Sequence, residues 1–145
     1  MLKINIIAVG KIKEEYFRAA VAEYTKRLSR FAKIEIKEIA EGKNLKAEAE
    51  DIIRAAKGVK IALCIEGEKL SSEGLASRIK SITDRGEEMS FIIGSSCGLD
   101  NSVKAAADLK LSFSDMTFPH QLMRVVLLEQ IYRAFMINSG SEYHK

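Results

Sequence analysis

The sequence predicts an α/β protein in which a parallel sheet carries helices on both faces, folded as a single domain over 1–145. Three observations lead there. Stretches with strand character alternate with stretches of helical periodicity along the whole chain. Two of the strand-like runs, Ile61-Ala62-Leu63-Cys64-Ile65 and Phe91-Ile92-Ile93, are apolar without alternation, as strands covered on both faces are. The length of 145 residues, 47% apolar and 30% charged, suits one modest core. No repeat, low-complexity tract or linker divides the chain.

The elements follow in order. A first strand is expected over 2–9. A helix over 13–31 would bury Tyr16, Phe17, Ala20, Val21, Tyr24, Leu28 and Phe31 at helical spacing and leave Arg18, Lys26 and Arg30 on a solvated face, with Lys33 just beyond. Lys33-Ile34-Glu35-Ile36-Lys37-Glu38-Ile39 alternates polar and apolar, the signature of an edge strand. Gly42-Lys43-Asn44 is the loosest connection and precedes a helix over 45–57. Strands at 59–65, 88–94 and 109–113 then alternate with helices at 72–85 and 101–108, and a last helix covers 119–137.

That last helix is unusual. Pro119 suits a first helical position, because its fixed φ and missing N–H cost nothing there, and the backbone N–H groups that follow point back at the preceding turn. Beyond it, Leu122, Val125, Leu128, Tyr132, Phe135 and Met136 make one apolar side, and Met123, Leu127, Ile131 and Ala134 make another. A helix apolar nearly all round must be covered nearly all round. One core of this size does not suffice, so part of the surface is expected to meet a second copy of the chain.

Several classes are excluded or disfavoured. The opening residues are too short and interrupted for a signal peptide, and nowhere do about 18 apolar residues run together, so a cytoplasmic protein is expected. Cys64 and Cys97 form no Cys-x-x-Cys pair and have no neighbouring His, so neither a zinc site nor a disulfide framework is indicated. Both read as packing residues. A net charge of +3 does not by itself argue for nucleic acid.

In parallel α/β sheets ligands bind beyond the carboxyl ends of the strands. Three loops lie there: Leu63-Cys64-Ile65-Glu66-Gly67-Glu68, Gly94-Ser95-Ser96-Cys97-Gly98-Leu99-Asp100 and Ser114-Asp115-Met116-Thr117. They are expected to line one pocket. The glycine-bounded turn permits close backbone approach, but it matches neither a Walker loop nor a Gly-x-Gly-x-x-Gly fingerprint, and a plain strand-to-helix turn explains it equally. Cys97 beside two serines invites a nucleophile reading, yet no base lies nearby in sequence. His120, at a helix N-terminus that favours the neutral imidazole, can hydrogen-bond near a reacting base or simply cap the helix. Glu129 and Arg133 have the spacing of a supporting ion pair. Arg124, a charge in the most apolar part of the chain, must have a buried partner or bind an anion.

The block Phe118-Pro119-His120-Gln121-Leu122-Met123-Arg124 through Ala134-Phe135, the terminal Tyr143-His144-Lys145, the opening Ala8-Val9-Gly10-Lys11, and Leu70-Ser71-Ser72-Glu73-Gly74-Leu75-Ala76 resemble the RlmH family over essentially the whole chain. Those are small SPOUT-class enzymes that methylate N3 of a pseudouridine in 23S ribosomal RNA. The resemblance implies a C-terminal trefoil knot that forms an S-adenosylmethionine pocket, with Leu63, Gly94, Phe113, Ser114, Asp115, Met116, Thr117 and Phe118 at the family's cofactor positions. It also implies a homodimer through the last helix, no metal, 23S rRNA within the assembled ribosome as partner, and a substrate side at His120, Arg124, Tyr143 and His144.

Two departures stand out. The family's usual glycine pair is Gly94-Ser95 here, and a positive φ at the second position would cost Ser95 about 1 kcal/mol. The region around Gly42-Lys43-Asn44 is shorter than the family's usual loop. Two rival classes share parts of the pattern. A noncatalytic cofactor- or nucleotide-binding module would need the Gly94 turn but not the tail, and a cysteine-dependent hydrolase or reductase would need Cys97.

Overall fold

A computed structural model describes residues 1–145. The order is β1 (Lys3–Val9), α1 (Glu15–Leu28), β2 (Lys33–Ile39), α2 (Leu45–Ala55), β3 (Val59–Lys69), α3 (Ser72–Asp84), β4 (Met89–Ile93), α4 (Asn101–Ala106), β5 (Leu109–Ser112) and α5 (His120–Asn138). The five strands form one sheet in the order β2-β1-β4-β3-β5, with every pairing parallel. The period-2 pleat divides the core. Ile4, Ile6, Ala8, Phe91 and Ile93 face one side and pack with Val21 and Leu28 of α1, Leu75 and Ile79 of α3, and Leu127, Leu128 and Ile131 of α5. Ile7, Val9, Ala62 and Ile92 face the other, where Ala49 and Ile52 of α2 and Val103 of α4 cover them. β2 lies on an edge, as its alternating sequence predicts.

The expected elements are all present, and their ends differ for identifiable reasons. α1 begins at Glu15 rather than 13, because the loop before it is tied down elsewhere: Ile12 N–H donates to Glu38 and Lys13 N–H to Gln121. Tyr16, expected in the core, is 66% exposed. Pro119 is the cap rather than the first helical residue of α5, with ψ at 135° and its carbonyl accepting from Met123 N–H at 2.9 Å.

β3 departs most from expectation. Its buried character stops at Ala62, and Ile65 is 48% exposed. Leu63 and Glu68 both pair with Leu111, so residues 64–67 arch away from the sheet and the strand then returns to β5. Gly67 closes the arch. A Cβ there would lie 2.7 Å from the carbonyl carbon of Lys110 and 2.8 Å from the backbone of Leu111, so only glycine allows β3 to come back against β5.

α5 runs between α1 and α3 and carries the last residues back over itself. Leu127, Leu128, Ile131, Tyr132 and Ala134 are buried, while Leu122, Met123, Val125, Val126, Phe135 and Met136 are half-buried in the single chain. No helix is long and apolar enough to cross a membrane.

Candidate active site

At the carboxyl ends of β3, β4 and β5 the three loops converge on one cleft of about 630 Å³, within the range that small-molecule sites occupy. The arch of β3 supplies Leu63 to Glu66, the turn after β4 supplies Gly94 to Leu99, and the segment after β5 supplies Phe113 to Pro119. The convergence expected from the sequence is therefore present. The lining is half apolar, Leu63, Ile93, Leu99, Leu111, Phe113 and Met123 among its hydrophobic residues.

Gly94 is buried at the turn, and its lack of a side chain is a packing requirement. A Cβ there would meet the carbonyl oxygen of Gly98 at 2.4 Å. Gly98 N–H donates to Ser95 O at 2.9 Å, closing a tight turn whose one positive φ, +89°, falls on Gly98. No non-glycine residue has positive φ, so Ser95 carries none of the strain it would bear if the second position were left-handed. The segment after β5 is ordered by its own serines: Ser112 Oγ donates to Ser114 O, and Ser114 Oγ accepts from Met116 N–H at 3.0 Å.

Of the residues expected at the cofactor, Leu63, Gly94, Phe113, Ser114, Met116, Thr117 and Phe118 line the cleft. Asp115 does not. Its exposed carboxylate turns outward to pair with Lys69 at the end of β3, which anchors the loop instead. Lys104 of α4 and Met123 of α5 also line the cleft, and local pattern gave no hint of either, since each arrives from a helix. Lys104 pairs with Glu66 on the arch, and that hydrogen bond holds the Glu66 carboxyl below its ordinary range.

Both cysteines border the cleft, contrary to the reading of them as packing residues: Cys97 is exposed and Cys64 half-buried. Burial pushes the Cys64 thiol up, away from the thiolate. Cys97 Sγ has no hydrogen-bond partner, whereas an activated thiol needs a base in contact.

The expected substrate-side residues separate. His120 lines the cleft at the start of α5. Arg124 lies one turn further on, is 1% exposed, and engages both terminal nitrogens while its buried Nε has no partner: Nη1 donates to Glu38 Oε2 at 2.8 Å, and Nη2 to Gly10 O at 2.7 Å and Val9 O at 3.2 Å. Of the two alternatives open to a charge in that position, the structure takes a carboxylate partner, although Glu38 itself is exposed. Burial lowers the Arg124 pKa, with Glu38 opposing the shift. Arg124 thus cannot reach a substrate; it seats the first turn of α5 on the carboxyl end of β1.

Tyr143 and His144 lie outside the cleft of their own chain. Tyr143 Oη donates to Glu129 Oε2 at 2.7 Å, and its ring meets Tyr132 edge-on with centroids 5.0 Å apart. Glu129 also holds Arg133 at 2.9 Å, the ion pair predicted from spacing. His144 links Arg133 through Nδ1 at 3.1 Å to Glu73 through Nε2 at 3.0 Å. The tail is thus docked on α5 and α3, although it follows Ser139-Gly140-Ser141, a composition that favours a flexible segment.

Beside the cleft, across His120, a second hollow of about 340 Å³ opens at the carboxyl ends of β1 and β2, lined by Gly10, Lys11, Glu38, Ile39, Ala40 and Glu41. A Cβ placed on Gly10 would lie 3.9 Å from His120 Nε2, so the imidazole stands between the two spaces.

The architecture and cleft match known proteins. The family model described as "Predicted SPOUT methyltransferase" matches residues 2–144. Among curated proteins, the chain is 48% identical to the Ribosomal RNA large subunit methyltransferase H of Bifidobacterium adolescentis, covering 99% of this chain and 100% of that one. It is 46% identical to the protein of the same name from Clostridioides difficile, with the same coverage. Among solved structures, a methylase family protein from Neisseria gonorrhoeae superposes with a TM-score of 0.51 over 89% of this chain and 81% of that one at 12% identity, a likeness of fold alone. With its family model spanning nearly the whole length and full-length relatives at this identity, the chain belongs to the SPOUT methyltransferase family.

Proposed function

We propose that this protein methylates N3 of a pseudouridine in 23S ribosomal RNA, on the assembled ribosome, with S-adenosylmethionine as the methyl donor. The observation that carries the reading is the cleft itself. It has the volume and half-apolar lining that an adenosine-bearing ligand needs, and its rim is built from backbone brought close by Gly94 and Gly98. The names of the full-length relatives supply the RNA class. Leu63, Leu99, Leu111 and Phe113 would hold the apolar part of the donor, and the backbone of 94–98 and 114–118 its polar edges. When bound, S-adenosylmethionine supplies an electrophilic methyl group, and no metal is required.

The chain's own residues then orient the acceptor and manage one proton. His120, at the mouth of the cleft and at a helix start, is placed to hydrogen-bond the pyrimidine edge while N3 loses its proton. Holding nitrogen and methyl in line supplies much of the remaining acceleration. Tyr143 and His144 do not line their own cleft, so a substrate role for them is served on a partner's cleft. The homodimer through α5 belongs to the same proposal, as does threading of the chain after β5 past the arch of β3.

Supplying methyl-labelled S-adenosylmethionine with naked 23S RNA, free large subunits or assembled ribosomes tests the reading. Label at N3 of a single pseudouridine, highest with assembled ribosomes, is the expected result. Label in no ribosomal substrate would favour a noncatalytic binding module.

A further inference from the structure

We propose that Glu66 and Lys104 bind the amino-acid end of the methyl donor, the α-ammonium group of S-adenosylmethionine docking on the Glu66 carboxylate and its α-carboxylate on the Lys104 ammonium. This rests on the S-adenosylmethionine reading above and deepens it by assigning the charged end of the ligand. Of the 22 residues that line the cleft, Glu66 is the only one with a carboxylate and Lys104 the only lysine or arginine. The other charged side chains of the three loops are engaged elsewhere: Asp115 with Lys69, Glu68 with Arg78, and Asp100 with Ser102 at the start of α4. Besides its sulfonium, the donor carries one cation and one anion on a single carbon. A cleft with one charge of each sign, side by side, complements that pair.

The placement of the two groups fits such a ligand. Glu66 comes from the arch of β3 and Lys104 from α4, and they pair with each other. The Glu66 side chain is 53% exposed and that of Lys104 24%, whereas Leu111 and Ile93 on the apolar lining are 2% and 4% exposed. The charged pair therefore stands toward solvent and the apolar residues deeper, so that adenine held by the latter leaves the zwitterion for the former. An ion pair this exposed contributes little by itself, so exchanging it for two ligand contacts costs little. The hydrogen bond from Lys104 is the main cause that holds the Glu66 carboxyl below its ordinary range, and Lys110 on β5 adds to it without lining the cleft. Glu66 is thus an anion at neutral pH, as an ammonium partner requires. With the zwitterion between them, each protein charge keeps an opposite neighbour.

The test titrates Glu66→Gln and Lys104→Gln by calorimetry with three ligands: S-adenosylmethionine, S-adenosylhomocysteine, which lacks the sulfonium charge, and 5′-methylthioadenosine, which lacks the amino-acid end. Weak binding of the last is read by displacement of labelled S-adenosylhomocysteine. Loss of one charge-assisted contact should weaken the first two by a similar factor of at least about fivefold in either variant, with 5′-methylthioadenosine held within about twofold of wild type. Lys104→Arg, which keeps the cation, should bind all three within about threefold of wild type. A loss for S-adenosylmethionine alone would place the sulfonium on this pair, and an equal loss for all three ligands would reduce the pair to a brace between the arch and α4. Either result, or unchanged affinity for all three, would overturn the assignment while leaving the donor reading in place. A wild-type protein that binds none of the three would overturn both.

Discussion

Arg124 Nη1 and Glu38 Oε2 are 2.8 Å apart across the carboxyl ends of β1 and β2, although the two residues are separated by 86 positions in sequence. The guanidinium is buried and the carboxylate exposed, so the two ends of this pair are not equivalent. Removing Glu38 leaves a buried cation with only the carbonyls of Val9 and Gly10, and breaking a buried pair in this way typically costs 3–5 kcal/mol. Glu38→Ala should destabilise the fold by about 3 kcal/mol in denaturant titration, the retained carbonyls placing it at the low end. Arg124→Lys should not restore stability, because one ammonium cannot reach three acceptors held in fork geometry. A loss below about 1 kcal/mol in Glu38→Ala would show that the pair does not hold α5 in place.

The two glycines of the cleft turn should respond differently to alanine. At Gly94 the obstacle is space, a carbonyl oxygen 2.4 Å from the new methyl, whereas at Gly98 nothing lies within 4 Å and the obstacle is a φ of +89°. Gly94→Ala must displace the 95–98 turn and should weaken S-adenosylmethionine binding by at least about tenfold. Gly98→Ala should cost about 1 kcal/mol of stability with a smaller loss of affinity. Calorimetry alongside thermal melts separates the two, and equal affinity in Gly94→Ala and wild type would move the donor site elsewhere.

The features legible in the sequence were those that repeat locally. Alternation in Lys33–Ile39 marked an edge strand, unbroken apolar runs marked β4 and the start of β3, and glycine-bounded turns after strands marked the cleft. What escaped depended on distant chain. Ile65-Glu66-Gly67-Glu68-Lys69 reads as a strand running out, and only the return against Leu111 makes it an arch. The outward turn of Asp115 depends on Lys69, and the commitment of Arg124 depends on Glu38. The tail looked free because Ser139-Gly140-Ser141 precedes it, but Glu129, Arg133 and Glu73 are waiting for its side chains on α5 and α3.

That docking has a titration signature. The hydrogen bond to Glu129 is the main cause that pushes the Tyr143 phenol up to about 12 from the ordinary 10, because the neutral hydroxyl donates to a carboxylate. A folded-state pKa raised above the unfolded one means that the contact's stabilisation is intact below pH 10 and disappears as pH rises from 10 through about 12. Absorbance titration should find a tyrosine ionising near 12 that moves toward 10 in Glu129→Gln. Tyr143→Phe, which keeps the edge-on contact with Tyr132 but removes the hydroxyl, should abolish the high transition. If no high tyrosine transition is seen in the wild-type protein, the tail is not docked in solution.

The last prediction concerns α5, whose outward residues Leu122 and Val126 are left half-buried by the single chain. If a second copy covers this surface, a helix that also carries His120 would lie in the interface, and the proposed role of one chain's tail at another chain's cleft becomes testable. Sedimentation at micromolar concentration should show a dimer, and Val126→Asp should shift it to monomer, because an unpaired charge in an apolar interface is costly. Complementation then separates coverage from catalysis. A protein carrying Gly94→Ala and a second lacking residues 143–145 should each methylate ribosomes poorly, yet mixed heterodimers should recover activity in the one cleft that has both an intact turn and an intact partner tail. Recovery would require the tail to act across the interface. No recovery from a verified heterodimer would mean that the tail serves its own chain, and a wild-type monomer in sedimentation would remove the dimer from the proposal altogether.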